Sequence, residues 1–424
     1  MRHTLRLLPA SLLCLLSAAA HAVAVPLPTK EATLNLVVTI QPQVQINQNG
    51  APNGTDASYD LFVRRTRLQA NGDVGSNWSY YFQVDNANFG KFGNYTGRMI
   101  VQDAWVAWGP FGTKGDNVLL VEGGLIFYPN SRFTITSSSN QPTVDSHPDM
   151  LRGFTSAVYP GTRSTGVQAR GWFLDKKLGF RGGVYEGVQP GASLPNASTG
   201  LNPRRNPAVA LFANFDIIGS EEGSYLYQSI YFAKDPILSV SLAGTYQSQA
   251  LRVVKGLTDQ KSLTSTVFLD YPLSEQQELV AILGGYLYGN GTGSRDTGKG
   301  FSADLGFRYE FVRPYVSYEY FTSDDCPSDA LPTQCVAATG AGATGIHLAD
   351  SRNVRAGLDF YINKAQNHFM VEFSLNRGQS AFGQQAVAAA APGYVPFIPA
   401  GQPPVTSLAR TASKSLTLHW SLYF

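Results

Sequence analysis

The sequence predicts an all-β fold, specifically a transmembrane antiparallel β-barrel of about sixteen strands with short periplasmic turns and long external loops. Three observations carry that expectation. The chain ends on Leu416-Thr417-Leu418-His419-Trp420-Ser421-Leu422-Tyr423-Phe424, an unbroken apolar/polar alternation that stops on an aromatic residue. Successive strand side chains point to opposite faces, so Leu416, Leu418, Trp420, Leu422 and Phe424 line one side while Thr417, His419, Ser421 and Tyr423 line the other. The start, Met1 to Ala22, reads as a secretory signal peptide: Arg2 and Arg6, an apolar run through Leu12, Leu13, Leu15 and Leu16, and the small-residue exit Ala20-His21-Ala22. Between these ends, alternating segments of about ten residues recur, the length a tilted strand needs to cross a bilayer.

Cleavage is expected after Ala22, with Ala24 as the alternative, and leaves one domain, residues 23–424. No later stretch offers the ~20 uninterrupted apolar residues that a membrane helix needs. Charged residues make up 15% of the chain against a typical ~25%, and the 42 Gly, 21 Tyr and 24 Phe favour turns and an aromatic wall. The mean hydropathy of −0.10 is what alternation gives when lipid-facing and water-facing positions average out. Removing the leader takes away two of the 32 basic residues and none of the 30 acids, so the mature balance is neutral and net charge points to no partner.

The strands read as follows. Phe301 to Phe311 sets Phe301, Ala303, Leu305, Phe307, Tyr309 and Phe311 against Ser302, Asp304, Arg308 and Glu310, a charged face that a dry core would not accept. Trp78 to Asp85 opposes Trp78, Tyr80, Phe82 and Val84 to Ser79, Tyr81, Gln83 and Asp85. Phe369 to Leu375 opposes Phe369, Val371, Phe373 and Leu375 to Met370, Glu372 and Ser374. Connections alternate in size. Turn-forming links at 71–77, 175–177, 272–275 and 363–367 alternate with long segments at 127–163, 189–206, 322–350 and 379–410. Short turns on one rim and long loops on the other place the short rim in the periplasm. Ile217 to Pro236 departs from this, being long on the short-turn side and rich in Tyr225, Tyr227, Tyr231 and Phe232. It reads either as a folded periplasmic turn or as an interfacial aromatic cluster. Cys326 and Cys335 stand close together in an exported chain, which favours a disulfide over two free thiols.

Strand parity predicts a lumen holding Asp85, Asp270, Asp304, Glu310, Glu319, Asp359 and Glu372 against Arg65, Arg67, Arg170, Arg181, Arg308 and Arg355. Lipid would exact about 2–4 kcal/mol for an Arg at the bilayer midplane, so Arg65 and Arg67 are expected to face water. Their alternative role is to pair with wall carboxylates such as Asp85. Arg64 falls on the opposite parity, with Phe62, Thr66 and Leu68, and is expected to snorkel to a rim or sit at a subunit contact.

The series Phe62-Val63-Arg64-Arg65-Thr66-Arg67-Leu68, Gly72, Trp78-Ser79-Tyr80-Tyr81-Phe82-Gln83-Val84-Asp85, Asp103-Ala104-Trp105 and Gly123-Gly124 resembles the phosphate-selective porin O and P family. The resemblance covers residues 59–126 and extends in architecture to a long loop after the fifth strand. It implies a trimeric outer-membrane porin, a passive water-filled channel for small hydrophilic solutes, with anions such as phosphate among the candidates. It also implies that the segment from Phe127 to Arg163 turns inward, so that Arg132, Arg152 and Arg163 meet the solute beside Asp145, His147 and Asp149. Guanidinium suits an oxyanion because its fork donates two parallel hydrogen bonds. The alternative is an ordinary surface loop. The near-balanced lumen departs from a dense arginine ladder and argues for weak selectivity. The terminal strand resembles the closing strand of outer-membrane barrels, which implies that Phe424, Leu422 and Trp420 form the signal read by the barrel-assembly machinery.

Two other classes were weighed. A lipase-like outer-membrane enzyme needs a base beside a nucleophile, but His147, His347, His368 and His419 are scattered and no G-x-S-x-G elbow accompanies them. A secreted soluble β protein would show shorter strands and more even turns. Expected partners are outer-membrane lipids, the assembly machinery, two further copies of the chain and small hydrophilic or anionic solutes. No cofactor, metal or nucleic acid is expected.

Overall fold

The structure is a computed structural model. It describes the chain apart from residues 1–22, 26–30, 49, 52–54, 94, 96, 98, 146, 148–161, 189–203, 222–224, 254–255, 290–296, 324–350, 365 and 378–412. The leader, Arg152, Asp149, His347 and the Cys326/Cys335 pair therefore lie outside the described residues.

A short segment, β1 (Val23–Val25), lies antiparallel against β2 (Leu34–Asn47). The wall continues through β3 (Ser58–Val74), β4 (Trp78–Phe89), β5 (Ile100–Trp108), β6 (Val118–Phe127), β7 (Arg163–Phe173), β8 (Leu178–Tyr185) and β9 (Ala208–Ile218). Its second half comprises β10 (Ile237–Val253), β11 (Gly256–Pro272), β12 (Gln277–Tyr288), β13 (Gly298–Tyr309), β14 (Val312–Ser323), β15 (Ser351–Asn363), β16 (Asn367–Arg377) and β17 (Ser413–Tyr423). Each strand pairs antiparallel with the next, and β17 returns to β2 through Leu416↔Ile46, Leu418↔Val44 and Leu422↔Ile40. The sheet from β2 to β17 is thus a closed barrel of 16 strands. Closure removes the two edges that an open sheet of this size would expose, which no membrane tolerates. Phe424 completes the seam, exchanging backbone hydrogen bonds with Val38 at 2.8 and 3.0 Å.

Alternation divides the wall as expected. Phe301, Leu305, Phe307 and Tyr309 on β13 are exposed outward, as are Val316, Val354, Leu358 and Phe373, whereas Ser302, Asp304, Ser317, Glu319, Arg355 and Glu372 are buried on the lumen side. Trp78 and Trp108 pair on the outer face with ring centroids 6.5 Å apart, close to the short-turn rim. Gly124 sits at φ 133°, and a Cβ there would lie 2.2 Å from the Ala104 carbonyl oxygen, so the β5–β6 contact admits only glycine.

Three expectations are corrected. Glu310 is not a lumen residue. It occupies the tight β13–β14 turn at φ 53°, exposed, where its amide donates to the Gln276 carbonyl. Size alternation, already broken at Ile217 to Pro236, also fails between β10 and β11, which close through the pair Val253↔Gly256 on the long-loop rim. Finally, Arg64 and Phe62 do not face outward. Gln41 pairs with Arg65 and Pro42 with Val63, leaving Arg64 as the extra residue of a β-bulge. Pro42 has no N–H to give the ladder, which is where a strand tolerates proline. The bulge resets the parity, so Phe62 and Asp60 face inward on one side of it, and Arg65, Arg67 and Gln69 on the other.

Candidate functional site, the narrowed lumen

After β6, residues 128–145 and His147 turn into the barrel. Ser131, Phe133, Thr134, Ile135, Asn140, Thr143 and His147 are all buried, and the loop is fastened to wall strands around most of the circumference. Asn130 meets β11, its carbonyl accepting from the Thr264 hydroxyl at 2.6 Å. The Val144 amide donates to Glu372 on β16 at 3.0 Å, and His147 Nε2 lies 2.8 Å from Asp304 on β13. Arg355 on β15 donates to the Thr143 hydroxyl and the Asp145 carbonyl, both at 2.8 Å, and Arg313 on β14 to the Pro142 carbonyl at 3.3 Å.

Three arginines of β3 converge on the same loop. Arg64 holds Asp145 at 3.0 Å and Arg65 holds it at 3.3 Å, while Arg65 also donates to Gln41 at 2.8 Å. Arg67 pairs with Asp85 at 3.1 Å and with the Ser138 hydroxyl. The Asp145 side chain is 41% exposed, against 10% or less for most of the other ion-paired groups of the lumen. Burial pushes the Asp145 carboxyl up, but Arg64 and Arg65 outweigh it and hold the group well below the usual carboxylate range. Lys91, 4.8 Å from the Phe62 ring centre, has its ammonium pulled down by burial and then by Arg64, so it stands in the same positive field.

The remaining predicted residues lie on the lumen side but are occupied by neighbours. Arg163 makes a two-pronged pair with Asp103 at 3.1 and 3.0 Å and stacks on Phe127 at 3.6 Å. Arg170 pairs with Glu122 at 2.6 Å, and Arg308 with Glu278 at 2.6 Å. Arg132, on the inward loop, is fully buried in an ion pair with Glu221. Asp103, Glu122, Glu278 and Arg313 were absent from the predicted lumen set although they carry its ion pairs. For Asp103 the parity is broken by a second bulge, between Gln83 and Val84 and their partners on β5. Glu122 sits among glycines and aliphatics with little alternation to read.

The residues between β9 and β10 also turn into the barrel, although they begin on the short-turn rim. Tyr225 packs on Trp105, Phe127 and Tyr81 at 4.8, 5.5 and 5.8 Å, Tyr231 on Phe268 at 5.7 Å, and Phe232 on Tyr361 at 4.9 Å. Of the two expectations, the folded turn is the one that fits, and it folds inward rather than forming an interfacial cluster. Tyr227 forms a parallel bridge with Thr136 of the inward loop.

A closed 16-strand barrel with an apolar outer wall, a charged interior and an inward loop after the fifth wall strand is the architecture of outer-membrane porins. Residues 37–205, which include the arginine bulge and the inward loop, match the family model of phosphate-selective porin O and P. The fold is similar to OprB of Pseudomonas putida (TM-score 0.58, 9% identity, covering 92% of this chain and 94% of that one) and to an anion-selective porin from Comamonas acidovorans (0.56, 13%, 93% and 100%). It is also similar to the trimer form of OmpT, an outer membrane protein of Vibrio cholerae (0.51, 10%, 93% and 100%). At such identities the likeness speaks for the fold. No curated protein sequence matches the chain. The fold is therefore that of the outer-membrane porins, and the match over residues 37–205 supports an outer-membrane channel.

Proposed function

We propose that the chain is a passive diffusion channel for small hydrophilic solutes with a weak preference for anions, and that solutes pass the inward loop at the cluster Arg64, Arg65 and Asp145. The observation that carries this reading is the two-to-one stoichiometry of that cluster. Two guanidiniums share one half-exposed carboxylate, which leaves a net positive charge at a group more exposed than the other lumen ion pairs named above. Guanidinium donors on a fixed strand suit a planar or tetrahedral oxyanion, and the family match over this strand supports the same solute class.

Arg67, Asp85, Arg132, Arg163 and Arg170 act, on this reading, as scaffold. Arg67 pairs with Asp85, and the other three arginines pair with Glu221, Asp103 and Glu122, so on this reading they set the width and shape of the passage rather than meet the solute. Phosphate is one oxyanion of the proposed class, and the paired lumen favours general anion passage over tight selection. A trimer is proposed from the likeness to OmpT, whose trimer form shares this fold. Phe424, Leu422 and Trp420, on the strand that closes the seam against β2, are proposed as the signal for the assembly machinery, and outer-membrane lipids as the partners of the apolar wall.

Reversal potentials in planar bilayers under a potassium chloride gradient test the proposal. An anion-to-cation permeability ratio modestly above unity is expected. A ratio below unity refutes the anion preference, and the absence of any conductance from folded protein refutes the channel itself.

A further inference from the structure

We infer that Glu221 and residues Tyr225 to Ala233, which turn in from the periplasmic rim, set the size limit of the channel jointly with the inward loop, and that the buried Arg132–Glu221 pair latches the two together. The inference rests on the channel reading given above. Four kinds of contact carry it. The backbones are stitched: the Ser137 amide donates to the Tyr227 carbonyl at 2.9 Å, and the Tyr227 amide to the Ile135 carbonyl at 3.0 Å. Asn140 then reads the segment with its side chain, donating to Gln228 at 2.8 Å and to the Ile230 carbonyl at 3.0 Å, and accepting from the Ser229 hydroxyl at 2.8 Å. The segment is anchored to the wall by carboxylates that accept backbone amides: Asp270 from Tyr231 at 2.7 Å, Glu278 from Ala233 at 3.2 Å and Asp216 from Glu221 at 2.9 Å.

The latch is the fourth contact. Arg132 donates to Glu221 and, at 2.7 Å, to the Gln228 carbonyl, while its guanidinium lies 4.1 Å from the Phe268 ring centre. Glu221 is further held by the Tyr231 hydroxyl at 2.9 Å and by Ser239. A buried charge pair of this kind contributes geometry more than net stability, because desolvation offsets most of the attraction, yet removal of one partner leaves the other charge stranded. Four aromatic rings, Tyr225, Tyr227, Tyr231 and Phe232, thereby occupy lumen volume that β9, β10 and the strands beside them would otherwise leave to water. An inward loop standing alone would narrow the passage from one side; here it is met by a second body from the opposite rim.

The test compares the full mature chain with a Tyr225→Ala/Tyr231→Ala variant in planar bilayers. Single-channel conductance and the size cut-off for neutral polyethylene glycols are measured, with heat-modifiable gel migration as the check that the barrel has closed. Severalfold higher conductance and a larger cut-off are expected. A folded variant with the parent's conductance and cut-off overturns the inference. Should the double variant not fold, Glu221→Gln takes its place, because it keeps the side-chain volume while leaving Arg132 without its counter-charge. It is expected to raise conductance while Glu221→Asp restores it toward the parent, and unchanged conductance in Glu221→Gln overturns the inference equally. A parent chain that conducts nothing strikes the channel reading instead, so the two failures are distinguishable.

Discussion

Substituting Asp145→Asn tests how charge at the inward loop selects ions. The carboxylate sits between Arg64 and Arg65, and its amide analogue still accepts from both guanidiniums, so the geometry is kept while one negative charge is lost. For an ion passing about 7 Å away in an effective dielectric of about 50, one unit charge amounts to about 1 kcal/mol. Screening at about 0.1 M salt, where the Debye length is ~10 Å, halves that. The anion gains by that amount and the cation loses by the same, so the permeability ratio moves by about 1 kcal/mol, or roughly fivefold, toward anions. Zero-current potentials of parent and variant under the same salt gradient measure it. Arg65→Gln is expected to move the ratio the other way by a similar factor. An Asp145→Asn ratio equal to the parent's, or shifted toward cations, would show that permeating ions do not pass this cluster.

Three further outcomes are expected. Asp103→Ala strands the Arg163 guanidinium on the lumen side and is expected to cost about 3–5 kcal/mol in denaturant unfolding of the detergent-solubilised barrel; a loss under 1 kcal/mol on the same scale would mean that water already solvates the pair. Leu305→Arg, on the outer face of β13, should cost about 2–4 kcal/mol in the same assay, whereas Ser317→Thr on the lumen face should be nearly silent; equal costs would contradict the assigned facing. His147 is drawn down by burial, but the charge and hydrogen bond of Asp304 outweigh this and raise its pKa, with Glu319 at 4.0 Å adding to the rise and Arg355 opposing it. A raised folded pKa gives stability that is complete below the ordinary value of about 6.5 and lost as pH climbs through the folded one. Amide hydrogen exchange in the inward loop should therefore quicken in the parent as pH rises across that window, beyond the intrinsic base dependence, and His147→Gln should abolish the extra step.

The barrel was legible in the sequence because its rule is local. A strand between lipid and water must alternate, and the stretches Trp78–Asp85, Phe301–Tyr309 and Phe369–Leu375 do so clearly enough that their faces could be assigned residue by residue. Assignment failed where the ladder slips. Arg64 is placed on the wrong face by strict parity, because the extra residue is revealed only by its partners Gln41 and Pro42 on another strand. Pro42 was the available signal, since a proline inside a wall strand marks a bulge or an edge and a closed barrel has no edge. The stretch from Ile217 to Pro236 was conspicuous for its length and its tyrosines, but the direction of Tyr225 to Ala233 within it depends on contacts with Ile135, Asn140 and Asp270, all distant in the chain.

Those inward segments also account for an interior that looks too acidic for the anion preference proposed above. Neither segment belongs to the barrel ladder, so its backbone N–H groups need acceptors inside a space from which much of the water has been displaced. Glu372, Asp216, Asp270 and Glu278 supply them, accepting the amides of Val144, Glu221, Tyr231 and Ala233. Other acids neutralise arginines one for one, as Asp85, Asp103 and Glu122 do. A tally of charges by strand therefore misjudges what a permeating ion meets, since most lumen carboxylates are committed to holding loops or guanidiniums in place. On the reading proposed here, selectivity is set by the charge left over at the surface still in contact with water, and two guanidiniums to one carboxylate at Arg64, Arg65 and Asp145 leave that charge positive.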